Sequence, residues 1–88
     1  MNVDPAYIRA RRLGILRLAM PRASVVRVQG VLEGMDGLGV LRGGEDGRPE
    51  LWTPAERVEE AAAWVAGLPL AWQVRLMDMR VTDSGEAA

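Results

Sequence analysis

Arginine is the residue through which this chain can do most of its chemistry. All eleven basic residues are arginine, and there is no lysine, histidine or cysteine. A guanidinium is a planar fork of donors that stays charged, so it suits phosphate, carboxylate and guanine edges rather than proton transfer. Arg9, Arg11, Arg12, Arg17, Arg22 and Arg27 crowd the first third of the chain. Without cysteine and histidine, disulfides, thiolate nucleophiles, imidazole catalysis and the usual zinc ligands are excluded. Glu56, Glu59, Glu60 and Asp78 come nearest to a carboxylate group of catalytic type. Glu56, however, reads as a helix-capping residue, and Glu59 and Glu60 as acids at the positive end of a helix. Gly43-Gly44 and Gly47 lack the spacing and the lysine of a phosphate loop. The expectation is a non-enzyme with no cofactor and no metal.

Charge is unevenly spread. Residues 1–42 hold seven arginines against three carboxylates, and residues 43–88 hold four against nine, although the whole chain carries only −1. A basic half followed by an acidic half fits a polyanion-facing surface, or contact between unlike halves of two molecules. It fits two solvated faces equally well. Arginine-only usage with abundant Ala, Gly and Val is also what a GC-rich genome produces.

These residues must be positioned by a small fold. Eighty-eight residues with 49% hydrophobic and 26% charged composition make one globular domain. The expected domain is 1–82, with a polar, disordered tail over 83–88. No apolar run reaches the ~18–20 residues of a membrane span. The first residues lack the layout of a signal peptide, so the chain is expected to be cytoplasmic. Asp4-Pro5 is a helix start, and the spacing of Ile8, Ile15, Leu16 and Ala19 predicts a helix over 5–20, stopped by Pro21. Ser24 can cap a second helix over 24–36, with Val25, Val28, Val31, Leu32 and Met35 on one face. A strand is the rival there, because Val25, Val26 and Val28 are β-branched. Residues 38–42 and 50–53 read as a hairpin around the Gly43–Gly47 turn cluster. Thr53-Pro54-Ala55-Glu56 is a capping box opening a helix over 54–66. Residues 72–81 alternate as a strand, and the change of phase at Leu76-Met77 implies a bulge. The sum is an α+β domain of three helices, with a small antiparallel sheet made from the hairpin and the C-terminal strand.

Helix, hairpin and helix in this order carry a resemblance. Residues 24–41 (SVVRVQGVLEGMDGLGVL) look like a recognition helix that runs, through a leucine pattern and a glycine, into a first wing strand. Leu51-Trp52-Thr53-Pro54 resembles the step from a second wing strand into the next helix, and Arg11–Leu18 resembles an opening helix. The chain is thus similar to the winged-helix DNA-binding family, including small winged-helix proteins of Mu-like prophages, over about residues 5–66. The resemblance implies transcription regulation or a phage-type accessory role, with double-stranded DNA as partner. In that setting Arg22, Ser24 and Arg27 would meet phosphates or guanine at a helix start, and Gln29 would read a base. Arg9, Arg11 and Arg12, with Arg17, would add backbone contacts. The alternative for all of them is a solvated helix face.

A protein-interaction or assembly module is the second reading. Glu45 and Asp46 put acid at the hairpin tip, where phosphate would be repelled. No middle helix fits between Met20 and Ser24, which leaves the first two helices short of packing and predicts a homodimer. Trp52, Trp64 and Trp72 must supply core or interface bulk in a chain with no phenylalanine. Trp72, outside the winged-helix stretch, is the interface candidate.

Overall fold

The computed structural model describes residues 12–35, 37–44 and 46–83. Strand β1 spans Arg12–Ala19 and is followed by helix α1, Arg22–Glu33. Strands β2, Val40–Gly43, and β3, Pro49–Pro54, form a hairpin. A 3-10 turn over Ala55–Arg57 leads into helix α2, Val58–Ala66, and another over Leu70–Trp72 leads into strand β4, Arg75–Asp83. The class is α+β, with two α-helices and one four-stranded antiparallel sheet in the order β2-β3-β1-β4. Strand β3 lies between β1 and β2, and β1 lies between β3 and β4. Two β-α-β units are therefore interleaved, the split order of ferredoxin-like sheets.

The first segment corrects the sequence reading most. Where a helix was expected over 5–20, residues 12–19 form an inner strand, and residues 5–11 lie outside the described part of the chain. Strand β1 pairs with β3 on one side and β4 on the other. Alternation is lost in β1 because Ile15 is buried on the face away from the helices, beside Trp52 and Arg80, as Leu16 and Leu18 are on the helix face. Ile15, Leu16 and Leu18 are all buried. Gly14 permits the close approach above them: a Cβ there would stand 2.8 Å from a Val58 methyl.

The core forms where both helices meet one sheet face. Leu16, Leu18 and Leu51 from the sheet pack with Leu32 of α1, Leu38, and Ala61 and Val65 of α2. Each fully buried leucine contributes about 1.5–3 kcal/mol relative to exposure. Helix α1 begins at Arg22, with Pro21 in the capping position and no side-chain cap. Its buried stripe is Ser24, Val28 and Leu32; Val25 is half-buried, whereas Val31 and Met35 are exposed. Gly37, with φ of +70°, supplies the left-handed turn after the helix. The expected Thr53 cap is not made. Thr53 is in β3, completely buried, and its hydroxyl donates to the Leu38 carbonyl at 2.6 Å. The expected bulge is present: Arg17 pairs with Asp78 and Leu18 with Leu76, leaving Met77 as the extra residue. Asp83, read as tail from sequence, ends β4. No helix among the described residues is long and apolar enough to cross a membrane.

Candidate functional site

The two outer strands of the sheet differ in how they meet their surroundings. Strand β2 is four residues long and closes on the hairpin turn, where the Gly44 N–H donates to the Arg48 carbonyl at 2.7 Å. Strand β4 is nine residues long and, among the described strands, is bonded only to β1. Backbone polar groups alternate in direction along a strand, so the outer side of β4 presents a row of donors and acceptors that no described strand uses.

The side chains on β4 are unusual for an outer strand. Leu76, Met77, Met79 and Val81 are 39%, 44%, 46% and 39% exposed. Met79 pairs with Leu16, Leu76 with Leu18 and Val81 with Gly14, so these three share the sheet face that carries the helices. They continue the hydrophobic core sideways to an uncovered border. Leu70, on the preceding 3-10 turn, is 95% exposed. Proline and a very short length are common protections of an outer strand. Strand β4 has neither, and its bulge lies near its start.

On the opposite sheet face, ion pairs tie the strands together. The Arg17 guanidinium donates to Asp46 at 2.7 Å and to Asp78 at 2.9 Å, linking the hairpin tip, β1 and β4. The Arg48 N–H and the Arg17 guanidinium hold the Asp46 carboxyl below its ordinary pKa. Trp52 is also occupied: its indole N–H donates to Glu50, and the Arg42 guanidinium lies 5.1 Å from its ring centre.

The residues assigned to nucleic acid from the sequence do not converge. Arg9 and Arg11 lie outside the described residues. Arg12 opens β1 and is exposed, whereas Arg22 opens α1 at the other end of that strand. Eight strand residues place those ends roughly 23 Å apart. Arg22 and Arg27 are exposed and make no ion pair with described residues, but lie about 140° apart around α1. Arg17 is committed to its two carboxylates. Ser24 requires correction: it is buried, and its hydroxyl donates to the Trp72 carbonyl. Trp72 itself is half-buried and anchors the turn before β4 instead of projecting from a strand.

Gln29 and Arg12 both line a groove of about 620 Å³, together with Leu32, Met35, Val40 and Trp52. Among the described residues there is no group of three or more acidic side chains placed to hold a metal ion. Sequence reasoning missed the apolar border of β4. The only signal for it was the density of Leu, Met and Val over 76–81, which also suits an ordinary core strand.

No family model matches this chain, and no curated protein or solved structure is significantly similar to it.

Proposed function

We propose that the chain is an assembly module whose docking surface is the outer side of β4. The observation that carries this reading is the run of four half-exposed apolar side chains on a strand whose outer backbone groups no described strand uses. Strand addition satisfies those groups and covers the apolar border in one step. The test is the oligomeric state of the wild type and of Met79→Asp, by light scattering after size exclusion. The reading expects an assembled wild type and a monomeric, folded variant. A wild type that stays monomeric at every concentration reached overturns it.

A second reading keeps the winged-helix expectation of a nucleic-acid-binding regulator. It is favoured by the exposed Arg22 and Arg27, which have no described carboxylate partner. A gel shift that weakens with salt, and is lost in Arg22→Ala/Arg27→Ala, is its expected signature. The separation of Arg12 from Arg22 and the burial of Ser24 weigh on the side of assembly.

A further inference from the structure

The charges flanking Met79 are antisymmetric: Asp78 precedes it and Arg80 follows it. We infer that the partner of β4 is a second copy of β4, paired antiparallel with Met79 on a two-fold axis. This rests on the assembly reading above and specifies its partner and register.

A two-fold axis perpendicular to the sheet is the symmetry that pairs two identical outer strands antiparallel. Residues directly opposite one another then lie on the same face. With Met79 facing its own copy, Asp78 stands opposite Arg80 of the second copy, and Arg80 opposite its Asp78. Asp78 and Arg80 share the face away from the helices, because they pair with Arg17 and Ile15 of β1. The Asp78 carboxylate is bonded to Arg17 through Oδ2, which leaves Oδ1 as an acceptor. Arg80 is exposed and makes no ion pair with described residues. On the helix face the two Met79 side chains meet at the axis.

The neighbouring registers are selected against. Moving the axis to Asp78 sets two carboxylates opposite each other, and moving it to Arg80 sets two guanidinium groups opposite each other. A shift of one residue in pairing would turn apolar side chains to the polar face. The allowed register joins the two sheets into one of eight strands, in the order β2-β3-β1-β4-β4-β1-β3-β2, with all four helices on one face.

Two experiments on the full chain test the register. The protein has no cysteine, so Met79→Cys gives a single thiol. Mild oxidation is expected to convert it to a covalent dimer at least tenfold faster than Leu70→Cys, whose side chain is more exposed but away from the axis. Arg80→Asp and Asp78→Arg are each expected to weaken self-association at least tenfold. Mixed one to one, they restore a heterodimer, because each carries the charges the other lacks. Far-ultraviolet circular dichroism checks that both variants fold, and Met79→Cys decides the question if Asp78→Arg does not. A wild-type dimer in which Met79→Cys couples no faster than Leu70→Cys overturns the register and leaves the assembly reading standing. A monomeric wild type overturns both.

Discussion

The two borders of this sheet solve the same problem in opposite ways. Strand β2 is short, and among its residues only Val40 is a strongly exposed apolar side chain. Its Arg42 covers Trp52, and the hairpin tip folds back through Asp46 onto Arg17. Strand β4 extends further, and its apolar side chains remain half-uncovered. Each border nevertheless has one buried hydroxyl that fixes its approach: Thr53 bonds Leu38 just before β2, and Ser24 bonds Trp72 just before β4. The anchoring is equivalent, whereas the outward finish is not. This difference in outward finish is what the proposed docking at β4 rests on.

The most disruptive way to break the comparison is to remove what both borders lean on. Leu16→Ala, at the centre of the core, is expected to cost about 2–5 kcal/mol in a urea melt and to weaken both sides together. Removing one hydroxyl at a time separates them. Thr53→Val leaves the buried Leu38 carbonyl unpaired, with an expected cost of about 1–3 kcal/mol, and Ser24→Ala, which removes a part-buried bond to Trp72, is expected to cost less. Amide hydrogen exchange should show the loss concentrated at 38–43 for the first and at 72–76 for the second.

Surface changes sharpen the contrast without unfolding the chain. Met79→Asp is expected to lower self-association at least tenfold, while Val40→Asp on β2 leaves it unchanged; sedimentation velocity reads both. Equal loss from the two variants would mean that β4 has no special role. Acid gives the smallest effect. The folded Asp46 carboxyl titrates below its unfolded value, so its contribution is present above the ordinary carboxyl range and is lost as pH falls through the folded pKa. Below about pH 4 the hairpin tip should loosen, seen as a lower protection factor, relative to the intrinsic exchange rate at the same pH, for the Arg48 amide, which donates to Asp46 at 3.0 Å.

Several elements were legible from the residues alone. The second helix, the hairpin and the helix after it stand near their expected places, because their signals are local: glycine clusters, proline stops and a 3.6-residue apolar period. The bulge at Met77 was legible for a similar reason, since a change of phase in a two-residue period is written directly in the chain. The candidate site was less so. Arg12, Arg22, Arg27 and Gln29 are exposed, as a binding surface requires, but only Arg12 and Gln29 share a groove, while Arg22 lies at the far end of β1 from Arg12 and on another side of α1 from Arg27. Ser24 carries a capping residue's chemistry and is turned inward to serve Trp72.

What the chain determines by itself is its composition, its lack of thiol and imidazole chemistry, and the turns and helices specified by neighbouring residues. Tertiary structure decided that residues 12–19 are a strand, since Ile15, Leu16 and Ala19 keep helical spacing until β3 and β4 flank them. It decided also that β4 lies at the border, with Met79 half-exposed, and not in the middle of the sheet. Strand order depends on contacts between residues far apart in sequence, and no local pattern encodes which strand is left without a neighbour.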